Sequence, residues 1–353
     1  MSPLIAITQG DAAGIGPEII VKAWLSQPHG MQGCFVAGDI ATLRHAASLF
    51  VTPGQVPLPI AAIEQPQQAL ALPPRCLPVL QIGTPPPQVP WGKVNAVAGE
   101  FAGRCILWAA QAALEERIQA IVTAPIHKEA LSAAGLPYSR FPGHTEMLQW
   151  AAAKHLGLST TQLPVRMMLA NEELRTVLVS IHVSLRQAIE AISVQNVFET
   201  IRISHQALLP LLQRAPRIAV AGLNPHAGEG GLFGREEIDF IAPAILAAQA
   251  SGYNALGPFP PDTVFMRARQ TPRHKAEFDV VIAMYHDQGL IPVKYLGVEK
   301  GVNFTLGLPM VRTSPDHGTA FDIAGTGQAD ASSLIEAIAM ARGTLTNQQT
   351  GNF

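Results

Sequence analysis

Three histidines in this chain each follow an apolar, strand-like run, and imidazoles in that setting can hold a metal ion. His226 lies in the glycine-rich segment GLNPHAGEGG (222–231) after the run 217–221, His182 ends the alternating run 176–181, and His286 follows the run 280–285. Glycine lets backbone approach a ligand closely. Taken singly, each histidine is as readily a surface or satisfied core residue, but three strand-end imidazoles predict one shared site. Catalytic zinc commonly takes three protein ligands and keeps a fourth position for water or substrate.

The cysteines do not enter such a site. Cys34, Cys76 and Cys105 are widely spaced and form no C-x-x-C pair, so they read as small buried hydrophobes in a reducing compartment. With 48% hydrophobic residues the 353-residue chain can fill a large core, and its formal charge of −2 with 14% charged residues gives no basic footprint for nucleic acid. No apolar run approaches the roughly 20 residues that span a bilayer, and the first residues lack the basic region and cleavage site of a secretory signal. A cytoplasmic protein without membrane or nucleic-acid partners is expected. The low surface charge hints at an oligomer.

Strand-like and helix-like runs alternate, which predicts an α/β protein with parallel pairing. Strands are expected at 4–8, 35–37, 79–82 and 120–123, besides the runs before the histidines. Helices are expected at 18–25, 40–49, 94–117, 145–156, 194–213, 235–251 and 332–342. The proline-dense stretch 52–90 reads as a long connection with one or two short strands, and 347–353 as a frayed end. Glycines 228, 230 and 234 before the helix at 235 imitate a dinucleotide fingerprint, but their spacing is imperfect and weak on its own.

Several long motifs occur in one order: GDAAGIGPE (10–18), TAPIHK (123–128), PGHTE (142–146), GLNPHAGEGG (222–231), MYHDQG (284–289) and GVNFTLGLP (301–309). Together they resemble the 4-hydroxythreonine-4-phosphate dehydrogenase family of vitamin B6 (pyridoxine) biosynthesis over residues 4–342. GGLFGR (230–235) and IPVK (291–294) are similar to the branch acting on D-threonate or D-erythronate 4-phosphate. The resemblance departs at Ala12, where the familiar motif has proline, and at 138–143, which is longer and carries Arg140.

The resemblance implies an isopropylmalate-dehydrogenase-like fold, with two α/β/α domains, a central cleft, and a homodimer whose active sites form at the subunit interface. On this reading residues 1–140 plus 300–353 form the cofactor-side domain, and 141–299 the metal, substrate and dimerisation domain. His182, His226 and His286 are then metal ligands, and His144, Thr145, Lys294, Asn303 and Arg312 contact a small phosphorylated hydroxy acid. His182, His226, His286 and Lys294 carry the catalysis. His317, Gly318, Thr319 and Asp322, in HGTAFDIAG (317–325), are similar to a cofactor loop in which the carboxylate favours NAD over NADP. Zinc suits three imidazoles; magnesium, cobalt and manganese are alternatives.

The chemistry explains these residue types. A divalent cation lowers the pKa of a substrate hydroxyl, which readies the carbon to give hydride to a nicotinamide. Oxidation β to a carboxylate gives a β-keto acid that loses carbon dioxide readily. Lys294 and Arg312 supply charge-assisted bonds to phosphate or carboxylate. His144 positions the phosphate or relays a proton, and Thr145 and Asn303 fix orientation. Asp11 is open between a cleft role and an Asx turn, Asp262 between orienting a histidine and forming a turn, and Lys128 between a ligand contact and solvation. Competing readings are a dihydrodiol dicarboxylate dehydrogenase, a phosphate acyltransferase and a noncatalytic binder.

Overall fold

Residues 5–8 carry no exposed side chain and form the first strand, β1 (Ile5–Thr8). The protein, described from a computed structural model over residues 2–52, 54, 56–297 and 300–350, divides into two units: Met1–Pro164 with Leu308–Thr346, and Val165–Gly307 with Asn347–Phe353.

In chain order the first unit continues with α1 (Gly16–Ser26), β2 (Cys34–Gly38), α2 (Ile40–Ser48), β3 (Ile60–Ile63), β4 (Leu77–Gln81), α3 (Ala96–Leu114), β5 (Ala120–Thr123), α4 (Lys128–Ala133) and α5 (His144–Leu156). The second holds β6 (Arg166–Ala170), β7 (Arg175–Leu178), α6 (Leu185–Glu190), α7 (Val194–Leu212), β8 (Ile218–Ala221), α8 (Ala242–Ala250), β9 (Ala255–Phe259), α9 (Val264–Ala268), β10 (Val280–Ala283), α10 (His286–Tyr295) and β11 (Val302–Leu306). β12 (Val311–Pro315) returns to the first unit, and α11 (Ser332–Thr350) closes the chain.

The strands of the first unit lie in the order β3-β4-β2-β1-β5-β12, with parallel pairings throughout. From β1 the chain moves outward to β2 on one side and later to β5 on the other. Such a reversal leaves the carboxyl ends of β1 and β5 free to face a ligand. α3 begins where Asn95 accepts from the Val97 and Ala98 amides, and it packs on α4 and α5. Its Phe101, Ile106 and Ala109 join Phe35, Ile121 and Leu148 in one buried cluster.

α5 therefore belongs to the first unit. The division expected at 140/141 lies at 164/165, because the face of α5 carrying Met147 and Leu148 is buried in that core. The second division lies at 307/308 rather than 299/300, since β11 pairs with β6.

In the second unit the order is β11-β6-β7-β10-β8-β9. β7, β10, β8 and β9 run parallel, whereas β6 pairs antiparallel with both β7 and β11. A separate core gathers Leu178, Ala221, Val281 and Leu290 with Phe265 and Phe278.

The proline-dense stretch carries β3 and β4, in keeping with the sequence reading. The expected helix 235–251 opens instead with a π turn at Glu237–Ile241 before α8. The end expected to fray is helical to Thr350, and residues 351–353 lie outside the described residues. Among the described residues no helix is long and apolar enough to cross a membrane. All three cysteines are buried and unbridged, and burial pushes the Cys34 thiol up to about 11.

Candidate active site

β7, β10 and β8 are neighbours running parallel, so their carboxyl ends stand side by side. His182 follows β7, His286 opens α10 after β10, and His226 follows β8. The rings of His182 and His286 are 5.6 Å apart between centroids. Two imidazoles on one zinc ion place their centroids about 5–6 Å apart, given metal–nitrogen bonds of about 2.1 Å, so this pair suits a shared cation.

Carboxylates meet two of the three histidines, His286 and His226, on Nδ1. His286 Nδ1 is 2.7 Å from Asp287 Oδ1, and His226 Nδ1 is 3.1 Å from Glu229 Oε2. A carboxylate on Nδ1 fixes the tautomer and leaves the Nε2 lone pair for a metal. Among the described residues no three His, Cys, Asp or Glu side chains converge. The structure brings His182 and His286 together, while His226 stands on a turn with its side chain largely in solvent.

That turn is strained. His226, Ala227 and Glu229 have φ of 54°, 55° and 45°, with Gly228 and Gly230 also positive. Left-handed backbone costs L-residues roughly 1–2 kcal/mol each, and such strain concentrates at functional sites. Buried Glu237, in the π turn, holds it: Oε1 accepts from the Leu223 and Asn224 amides at 2.7 Å each, and Oε2 from Asn224 Nδ2 at 2.9 Å. Gly228 is needed there, because a Cβ would lie 2.7 Å from Glu237 Oε2.

Lys294 is exposed on α10, and Asn303 is half-buried in β11. Large apolar side chains stand in solvent next to the histidine-bearing segments. They include Val183, Leu185, Leu232 (73% exposed), Phe233, Ile291 and Tyr295 (90%).

The first unit holds a different constellation. Arg312, only 3% exposed on β12, donates from Nη2 to Thr123 Oγ1 at 2.6 Å. Burial lowers its pKa to about 10, with Glu146 opposing, so it stays cationic at neutral pH. His144 and Thr145 begin α5, whose N-cap Gly143 offers no side chain to the first amides. Burial, and then the Arg312 charge, hold the His144 imidazole well below its usual value. His144 Nε2 has no partner and no exposed surface. A buried cation, a neutral imidazole and uncapped helix amides are donors of the kind that suit an oxyanion.

In the loop after β12, His317 is half-buried, Gly318 and Asp322 are exposed, and Thr319 is buried with its carbonyl accepting from Ile15 N at 3.0 Å. Glu18, fully buried in α1, accepts from the Gly325 and Gly327 amides. Lys22 Nζ donates to Ala329 O at 2.6 Å, and Phe321 stacks on His127 at 4.6 Å.

The family model described as Pyridoxal phosphate biosynthetic protein PdxA matches residues 31–341. The chain belongs to the PdxA family. A 4-hydroxythreonine-4-phosphate dehydrogenase of Beijerinckia indica is 51% identical, over 94% of this chain and 91% of its own. A D-threonate 4-phosphate dehydrogenase of Cupriavidus necator is 46% identical over 95% of each. The crystal structure of a 4-hydroxythreonine-4-phosphate dehydrogenase from Klebsiella pneumoniae superposes with a TM-score of 0.84 at 42% identity, covering 98% of both chains. This PdxA-family chain is accordingly a dehydrogenase with an α/β fold.

Several residues of the PdxA-family chain act differently from their sequence reading, or escaped it. Glu18 drew no reading of its own from the sequence, and no local signal announces that it clamps a loop some 300 residues away. Asp287 and Glu229, rather than exposed Asp262, are the carboxylates that meet the histidines. Asp11 forms the Asx turn, with Oδ1 accepting from Ala13 N at 2.8 Å. Arg140, in the segment where the resemblance departs, stacks on Trp150 at 4.3 Å and Phe141 at 4.7 Å. Lys128 is exposed at the start of α4.

Proposed function

We propose that the chain catalyses the NAD-dependent, divalent-metal-dependent oxidation and decarboxylation of a 4-phosphorylated 3-hydroxy acid, as a 4-hydroxythreonine-4-phosphate dehydrogenase. The observation that carries the phosphorylated substrate is buried cationic Arg312 beside neutral His144 at the start of α5. Arg312 and the α5 amides bind the phosphate, His144 supplies a neutral hydrogen bond, and Thr145 adds its hydroxyl. Lys294 and Asn303 orient the rest of the acid.

His182, His226 and His286 are the metal ligands in this reading, with zinc favoured and magnesium, cobalt or manganese as alternatives. When bound, the cation lowers the pKa of the substrate hydroxyl and NAD accepts the hydride. Asp287 and Glu229 hold the imidazoles in the metal-binding tautomer. Glu18 and Lys22 keep the 317–329 loop in shape for the nucleotide, and exposed Asp322 prefers a free ribose hydroxyl over a 2′-phosphate.

A homodimer accounts for the apolar side chains left in solvent beside the three histidines. A second copy covering Leu232, Phe233, Ile291 and Tyr295 lets ligands be shared between subunits. A cytoplasmic setting suits the free, buried cysteines.

A second reading is D-threonate or D-erythronate 4-phosphate dehydrogenase, and the 46% identical Cupriavidus D-threonate 4-phosphate dehydrogenase supports its D-threonate form. Initial rates with NAD and zinc or magnesium separate the readings. 4-Phosphohydroxythreonine as the best substrate supports the first, and D-threonate or D-erythronate 4-phosphate supports the second. Turnover of only a dihydrodiol dicarboxylate, or of acyl phosphates without nicotinamide, overturns both.

A further inference from the structure

The three histidine-bearing strand ends are joined by a chain of hydrogen bonds in which one side chain is the middle link. Ser180 Oγ, just past β7, donates to the Met284 carbonyl at 2.9 Å. The Met284 amide, just past β10, donates to Gln288 Oε1 at 2.6 Å. Gln288 Nε2, in the first turn of α10, donates to the Gly222 carbonyl at 2.8 Å, just past β8. His182, His286 and His226 follow these three anchor points by two, two and four residues.

We propose that Gln288 is a positioning residue that sets the His226 turn against the His286 end of α10, and so fixes how the imidazoles meet a cation. The inference rests on the metal-site reading given above. A carboxamide carries a donor and an acceptor on one short planar group at any pH the fold tolerates. Met284 and Gly222 are buried, so without Gln288 a backbone amide and a carbonyl lose their partners away from water. The ladders of β8 and β7 with β10 do not involve Gln288, so the sheet persists and the loss falls on the segments beyond it. Glu237 grips the start of the 226–230 turn from the π turn, and Gln288 ties the residue just before that grip, Gly222, to the Met284 amide ahead of His286.

The test is cobalt(II) titration of the chelator-stripped full-length protein, read by visible ligand-field absorption, with melting followed in parallel. Gln288→Met keeps the side-chain volume without either hydrogen bond, and Gln288→Glu keeps the acceptor alone. Both are expected to bind cobalt roughly 10- to 100-fold more weakly than the unmodified protein, with a shifted spectrum at saturation and His286→Ala weaker still. A purely structural role would lower the melting point and leave the affinity and spectrum of the folded fraction unchanged, and that result overturns the proposal. Unmodified affinity and spectrum in both Gln288 variants, with His286→Ala defective, overturns the positioning role while the metal site stands. No cobalt uptake by the unmodified protein, or unmodified uptake by His286→Ala, overturns both. Should the Gln288 variants not fold, Ser180→Ala cuts the same chain at a lesser link. Several-fold weaker cobalt binding there supports the proposal, and unmodified binding overturns it.

Discussion

Replacing Arg312 by methionine removes the charge of the proposed phosphate receptor while nearly keeping its volume. Arg312 is almost wholly out of water and cationic at neutral pH, so a bound phosphate meets it with little screening. A hydrogen bond to a charged group contributes about 1.5–3 kcal/mol. At about 1.36 kcal/mol per factor of ten, kcat/KM for the phosphorylated acid falls about 10- to 150-fold. Stability changes less. The bond to Thr123 Oγ1, also made by the charged group, is lost at about 1.5–3 kcal/mol, while exchanging a buried cation for an apolar chain offsets much of that loss. The assay is steady-state NADH formation over a range of substrate concentrations, paired with melting curves with and without inorganic phosphate. The variant should melt within about 4 °C of the unmodified protein and lose most of the stabilisation by phosphate. A kcat/KM within threefold of the unmodified enzyme, with phosphate stabilisation intact, would refute the reasoning.

Four further outcomes follow from three particular residues. Histidine NMR should show His144 neutral well below the usual 6.5, with its pKa rising in Arg312→Met but held low by burial. Because the unfolded chain binds that proton first, His144 lowers stability as pH falls from 6.5 toward its folded pKa, which denaturant midpoints in His144→Gln check by a flatter acid slope. Burial works to raise Asp279, but hydrogen bonds from Arg214 and Arg217 outweigh it and hold the carboxyl far below 3.8. Asp279→Asn should cost about 2 kcal/mol, discounted for the half-exposed arginines. Calorimetry should show that difference shrinking as pH drops below 3.8. Glu18→Gln leaves one carbonyl oxygen for two loop amides, so KM for NAD should rise about tenfold with KM for the acid nearly unchanged, as initial-rate kinetics would show.

Much of this was legible along the chain, and the remainder was hidden for physical reasons. The period of apolar residues marked α3 and α7, and Asn95 and Ser193 cap them where the patterns begin. β6, β11 and β12 escaped notice because polar residues such as Arg166, Asn303 and Arg312 interrupt their apolar pattern, and β9 contains Gly257 and Pro258. Strand-end histidines could be seen, whereas the order β7-β10-β8 that sets them side by side depends on crossover connections no local pattern encodes. The left-handed turn at His226 was only half visible. Its glycines advertise positive φ, but Ala227 and Glu229 adopt the same conformation because Glu237 grips the turn from a π turn with no sequence signature of its own.

Anomalous diffraction from crystals of the zinc-loaded assembly is the most direct measurement of the proposed metal site. One zinc peak per active site, bonded at about 2.0–2.1 Å to the imidazole nitrogens of residues 182, 226 and 286, whether from one chain or two, is the expected result. A peak on other side chains, or none at fully occupied zinc concentrations, would contradict it.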